Sequence, residues 1–279
     1  MMFGVAVLGG FSLFAGARQF DATVHASGYP SKPYAPPAVF QGAGPTVLSI
    51  QGVVDQYRLA LGATNNGNVP GPLADGRREI NWDGGGSTAT AVVPTPFDGF
   101  LLNRGARFTT KGSGFVQAPA SGLAETFGRA EYATIFQAFS PVRLFSAIDS
   151  NVTSVRFFVP GGGELPATTR GFGAVFTDVD QPDGSADGYG RSYGGKKPDA
   201  STSIVYYGVR GNVLFSSQVP AAPGDAGVSF LGIVFSDPSI AYVRIASGNV
   251  APGAADSARR DVVMMDDFIY GEPQLFVKK

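Results

Sequence analysis

Ten short runs of β-branched and aromatic residues recur through residues 78–270, and they constrain the fold more than any other feature of the chain. They are 78–83 (REINWD), 105–110, 113–117, 153–159 (TSVRFFV), 171–177 (GFGAVFT), 202–207 (TSIVYY), 212–217 (NVLFSS), 228–235 (VSFLGIVF), 240–246 (IAYVRIA) and 262–270 (VVMMDDFIY). Most are bounded by Gly, Pro, Asn or Asp, which end strands and supply turns. Strands without alternating helices predict an all-β antiparallel β-sandwich or jelly roll rather than a parallel sheet. Residues 208–212 (GVRGN) read as a hairpin turn. One N-terminal helix is predicted over 47–61, where Val47, Ile50, Val54, Tyr57, Leu59 and Leu61 approximate a 3.6-residue stripe and Gly62 supplies the stop. Residues 118–148 read as either helix or irregular packed loop.

Composition narrows the chemistry. The chain holds 39 Gly and 20 Pro, yet 44% of it is apolar, too much for a disordered polymer. With no Cys, it has no disulfide, thiol nucleophile or thiolate metal site. A single His excludes a His-based zinc site and leaves little imidazole acid–base chemistry. Twenty-one basic and 22 acidic residues give a net charge of −1, without the basic surface that nucleic acid requires. No G-x-S-x-G elbow or P-loop occurs, and the expected reading is non-catalytic.

Residues 3–17 (FGVAVLGGFSLFAGA) have the length and apolarity of a signal-peptide core but are too short for a membrane span. Small-residue cleavage signals follow at Ala15-Gly16-Ala17 and Val24-His25-Ala26. Residues 1–26 are therefore expected to be an export signal, truncated at its start because the basic region is missing. Residues 27–45, with five Pro in 28–45, read as a linker or arm. A single β domain over 46–273 and a tail over 274–279 complete the expected organisation.

The acidic segment 178–187 (DVDQPDGSAD) concentrates Asp178, Asp180, Asp183 and Asp187. Carboxylates this close repel unless solvent or a cation screens them, and Ca²⁺ takes six to eight oxygens from carboxylates, carbonyls and water. The spacing D-x-D-x-x-D-G departs from an EF-hand; the alternative is a solvated turn. Asp266 and Asp267 interrupt an apolar strand. With period two, Val262, Met264, Asp266, Phe268 and Tyr270 share one face and Val263, Met265, Asp267 and Ile269 the other, so one carboxylate is expected to be buried. Its partner is then an arginine (Arg77 or Arg78), backbone donors or a cation. Asp83 poses the same question. Trp82 is either a sugar-stacking platform or a core residue. Tyr189, Arg191 and Tyr193, in DGYGRSYGG, suit polar ligand recognition from a loop.

The strings GRREINWDG (76–84), FQAFSPVRLFSA (136–147), VTSVRFFVPG (152–161), GFGAVFTDVD (171–180), FLGIVFSD (230–237), VRIASGN (243–249) and DVVMMDDFIYGEP (261–273) resemble a family of exported bacterial all-β proteins. The similarity spans most of residues 47–273. It implies an exported β domain and transfers no catalytic residue. The last strand, ending in Asp-Asp-aromatic, also resembles calcium-containing jelly-roll carbohydrate-binding modules. Two functions are expected from these readings. The first is a secreted or surface protein that binds glycan or cell-surface material, stabilised by calcium. The second is a structural subunit of an extracellular filament or layer, self-associating through its arm. A polysaccharide-acting hydrolase is a third, more distant alternative.

Overall fold

Strand alternation is visible residue by residue: Val152–Phe157 and Ser203–Tyr207 bury every second side chain, the signature of a sheet with one face on a core. The computed structural model describes residues 35–84, 86–180, 202–257 and 259–276. In chain order the elements are β1 (Ala38–Gly44), α1 (Val47–Leu61), β2 (Arg77–Ile80), β3 (Ala91–Pro94), β4 (Phe97–Phe100), α2 (Leu101–Arg104), β5 (Ala106–Thr110) and β6 (Gly114–Ala118). Then come α3 (Ala120–Phe127), α4 (Tyr132–Ile135), β7 (Leu144–Ile148), β8 (Val152–Phe157), β9 (Ala167–Thr168) and β10 (Gly171–Thr177). The remaining elements are β11 (Ser203–Tyr207), β12 (Val213–Gln218), β13 (Val228–Val234), β14 (Tyr242–Ala246), β15 (Met264–Gly271) and β16 (Gln274–Leu275).

An eight-stranded sheet runs β1-β13-β10-β15-β7-β6-β3, with β2 also on β15. A six-stranded sheet runs β12-β11-β14-β8-β5-β4. Every strand pairing within these two sheets is antiparallel, so no βαβ crossover is needed to connect them. The two sheets share one apolar core, in which Phe145, Phe172, Phe176 and Phe268 meet Phe108, Phe157, Ile204 and Val243. The protein is thus an antiparallel β-sandwich.

Four helices are present among the described residues rather than one. α1 lays Ile50, Val54, Tyr57 and Leu61 on Val175, Val228, Phe230 and Ile269 of the eight-stranded sheet. Its C-terminus is stopped at Gly62, whose φ of 137° suits glycine. Leu59, placed on the buried stripe by the sequence reading, is 68% exposed. The stripe follows 50, 54, 57 and 61, and residue 59 falls on the opposite side of the helix. Leu59→Gln is therefore expected to change stability by no more than about 0.5 kcal/mol, measured by urea unfolding. The ambiguous stretch 118–148 resolves into α3, α4 and β7, packed around Leu123, Tyr132, Leu144 and Met264.

The domain is wider than its expected 46–273 limits. Residues 38–44 of the expected arm form β1, paired with β13 from Ala38↔Val234 to Gly44↔Val228. Its apolar Phe40 packs beside α1, so this part of the arm is bound to its own sheet. At the other end, Gln274 and Leu275 pair with β9. No described helix is long and apolar enough to cross a membrane.

Candidate metal centre

The acidic residues separate into two places. The first lies where β10 ends. Asp178 adopts a left-handed φ of 69°, which turns the chain out of the strand, and its N–H donates to Gly227 O at 2.8 Å. Asp180 follows two residues later. Its N–H donates to Asp261 Oδ1 at 3.3 Å, and its own Oδ1 accepts from Gly224 N–H at 2.8 Å. Asp261 is held by Asn249, whose Oδ1 accepts the Asp261 N–H at 3.0 Å. Asp256 accepts the Val262 N–H at 2.9 Å.

These bonds bring one carboxylate oxygen each of Asp180, Asp256 and Asp261 within 4.8 Å of one another. Oxygens sharing one Ca²⁺ at 2.3–2.6 Å lie at most about 5 Å apart, so the triad fits a single coordination sphere. Behind it sits Asp178, 1% exposed, with both carboxylate oxygens lacking a hydrogen-bond partner among the described residues. Burial, then the charges of Asp180, Asp256, Asp261 and Asp225, push its carboxyl up to about 9. Burial also raises Asp256. A carboxylate in this position is costly unless a cation or proton compensates it. Hard oxygen donors without nitrogen or sulfur select Ca²⁺ or Mg²⁺ over transition metals.

The expected site is therefore changed in membership. Asp180 belongs to the triad and Asp178, close enough to feel its charge, does not; Asp183 and Asp187 lie outside the described residues, as do Tyr189, Arg191 and Tyr193. Asp256 and Asp261 join it from more than 70 positions downstream, where no local pattern in the sequence marks them.

Asp266 and Asp267 form the second place. The strict alternation expected for β15 is broken by a bulge: Ala174 opposes Phe268 and Phe176 opposes Met265, so Val175 alone faces both aspartates. Met265 and Phe268 consequently both enter the central core, and the two carboxyls turn together away from it. Ser140 Oγ bonds both, at 2.6 Å to Asp267 Oδ1 and 3.2 Å to Asp266 Oδ1. Asp266 also accepts the N–H groups of Phe139 (2.6 Å) and Ser140 (3.2 Å). The arginine at Asp267 is Arg58 of α1, at 3.4 Å, and neither Arg77 nor Arg78. Arg77 pairs with Glu79, and Arg78 with Glu272. These two aspartates are thus satisfied by protein groups and serve to pin the 139–140 segment and α1 to the sheet.

Burial first, then the neighbouring carboxylate, raises Asp266 well above its ordinary value; burial pushes Asp267 up to about 6 against the pull of Ser140 and Arg58. The folded chain therefore holds protons that the unfolded chain loses above about pH 4. The stabilisation is complete below that pH; the share of Asp267 is lost as pH rises through about 6, and that of Asp266, raised well above its ordinary value, also falls as pH rises. Asp266→Asn is expected to flatten this decline, checked by urea midpoints at intervals from pH 4 to 8.

Trp82 is 1% exposed and offers no ring face to a sugar. It stacks on Phe145 at 3.7 Å between centroids, and its Nε1–H donates to Asp266 O at 3.0 Å. It lies two residues beyond β2 at a left-handed φ of 65°, with its ring packed into the core, which corrects the ligand-binding reading. Asp83 accepts the Val142 and Arg143 N–H groups at 2.7 and 2.8 Å, a structural role.

Comparison with protein-family models, with curated proteins and with solved structures finds no match.

Proposed function

We propose that this chain is an exported, non-catalytic β-sandwich protein that binds glycan or cell-surface material and is stabilised by Ca²⁺ held between Asp180, Asp256 and Asp261. The observation that carries the metal is Asp178: a buried carboxyl with no partner among the described residues, set behind three converging carboxylates. A bound divalent cation supplies the missing positive charge and ties the end of β10 to the segment that leads into β15. Export and surface binding are supported by the signal-like residues 3–17 and by the resemblance to exported β proteins.

Calorimetric titration of chelator-stripped protein with Ca²⁺ tests the reading. Saturable binding that disappears in Asp256→Asn is expected. Absence of heat, together with an unchanged melting temperature, rejects the metal centre.

A second reading, a subunit of an extracellular layer, draws on β1. This edge strand carries no charged residue in 38–44, and uncharged edges favour strand addition. Concentration-dependent light scattering of purified protein decides it: polymers support it and a monomer rejects it.

A further inference from the structure

The two sheets differ on their outward sides. The eight-stranded sheet is covered by α1 and by the α3–α4 segment, each with its own apolar cluster. Of the helices, the four-residue α2 packs beside β4 and β5 of the six-stranded sheet, whereas β8, β11 and β14 alternate between buried and accessible positions.

On the outward side the register sets Tyr207, Tyr242, Arg156 and Arg107 in one row across four adjacent strands. The Tyr207 and Tyr242 rings are stacked, with centroids 4.4 Å apart and planes within 4° of parallel. That separation matches the spacing of neighbouring strands, so the rings stand upright from the sheet. The Arg156 guanidinium lies 5.0 Å from the Tyr242 ring centroid. Cation–π contact fixes its plane in advance and leaves its N–H edge to bond a planar oxyanion. Arg244, in the next row, is a diagonal neighbour of Arg156, about 7–8 Å away. Both arginines are exposed and form no ion pair among the described residues. Arg107 differs: Asp98 at 2.6 Å and Glu164 at 2.7 Å neutralise it.

Charge is therefore segregated. The six strands carry three Arg against a single Asp, in a chain whose net charge is −1. One guanidinium positioned by a tyrosine ring and a second exposed guanidinium beside it match a sugar polymer that bears carboxylates: the arginines bond the carboxylates in pairs of N–H···O contacts, and the tyrosines meet hydroxyls and ring C–H groups. So few cations neutralise too few phosphates for duplex nucleic acid.

We propose that this face binds an anionic, carboxylate-bearing polysaccharide through Arg156, Arg244, Tyr207 and Tyr242. The proposal rests on the reading of the chain as a surface-binding module, and it places the contact away from the metal centre. Calorimetry with the full chain and oligosaccharides of hyaluronan, of polygalacturonate and of neutral dextran tests it. Binding to at least one acidic polymer and not to dextran is expected, weakening with added salt. The double variant Arg156→Ala/Arg244→Ala is expected to lose tenfold or more in affinity at an unchanged melting temperature. Arg156→Lys, which keeps the charge and loses the planar fork, is expected to lose several-fold. Asp256→Asn, measured below its own melting temperature, is expected to retain binding, so failure of the metal reading and failure of this one are distinguishable. Binding to neither acidic polymer, equal binding to dextran, or wild-type affinity in the double variant overturns the proposal. So does sedimentation with vesicles of anionic lipid in the absence of binding to either acidic polymer.

Discussion

Arg78→Ala is expected to cost about 3–5 kcal/mol of stability, because it leaves a buried carboxylate without its cation. Arg78 is fully buried, and its guanidinium binds Glu272 through two contacts of 2.6 and 2.7 Å. Its remaining N–H groups satisfy the carbonyls of Gly67, Val69 and Asn103 at 2.8–3.0 Å. Glu272 in turn takes Asn66 Nδ2 at 2.8 Å and the Leu73 N–H at 3.2 Å. One guanidinium thus fastens the turn-rich segment after α1 to the end of β15. Removing it leaves three carbonyls without their donor and the Glu272 carboxylate without its cation away from water. At roughly 2–4 °C per kcal/mol for a domain of this size, the melting temperature should fall by about 10 °C. Arg78→Met/Glu272→Leu, which removes both charges, is expected to be less destabilising than the sum of the single substitutions. A thermal melt of Arg78→Ala within about 2 °C of wild type contradicts this account.

Calcium is expected to produce the second large effect. A cation that binds only the folded state stabilises it by RT ln(1 + [L]/Kd), about 2.7 kcal/mol at 100 times Kd. Differential scanning of chelator-stripped protein should therefore show the melting temperature rising by roughly 5–10 °C when Ca²⁺ is restored at that excess. Asp178→Asn separates the two parts of the argument. It removes a carboxyl that is held up to about 9 by burial and by its acidic neighbours, so the metal-free variant should melt no lower than the metal-free wild type. The same variant should gain much less from Ca²⁺, because it lacks the carboxyl that a nearby cation draws into its charged form. Equal calcium-induced shifts in wild type and variant would place the cation elsewhere.

The strands were legible where side chains alternate or where long apolar runs end in Gly or Asp. All ten expected runs contain or overlap a strand, and the 47–61 helix has the expected limits. The short β3 and β4 (AVVP and FDGF) escaped because four residues beside Pro or Gly carry no period. β1 escaped because Gly and Ala dominate it and because Pro36 and Pro37 precede it. The β15 bulge was illegible in principle: one extra residue reverses the parity of every position beyond it, and only the partner strand reveals where it sits. The candidate metal centre was half legible. Asp178 and Asp180 stand together in the sequence, whereas Asp256 and Asp261 join them only because β15 lies beside β10. The Tyr207–Tyr242–Arg156 row was hidden for the same reason, since its members lie on three strands and touch only through register.

The place of β15 in the sheet bears on how the chain reaches this state. The strand lies downstream of β2, β7 and β10, yet it pairs with all three in the middle of the eight-stranded sheet. β1, the first described strand, likewise waits for β13, some 190 positions later. The β1 pairing requires the chain through residue 234 and the β15 pairings through residue 271, and pairings this distant in sequence close slowly. The topology therefore leaves the middle of the eight-stranded sheet unpaired until residues 264–271 are in place, and a truncation before residue 264 removes the sheet's central strand along with its own length.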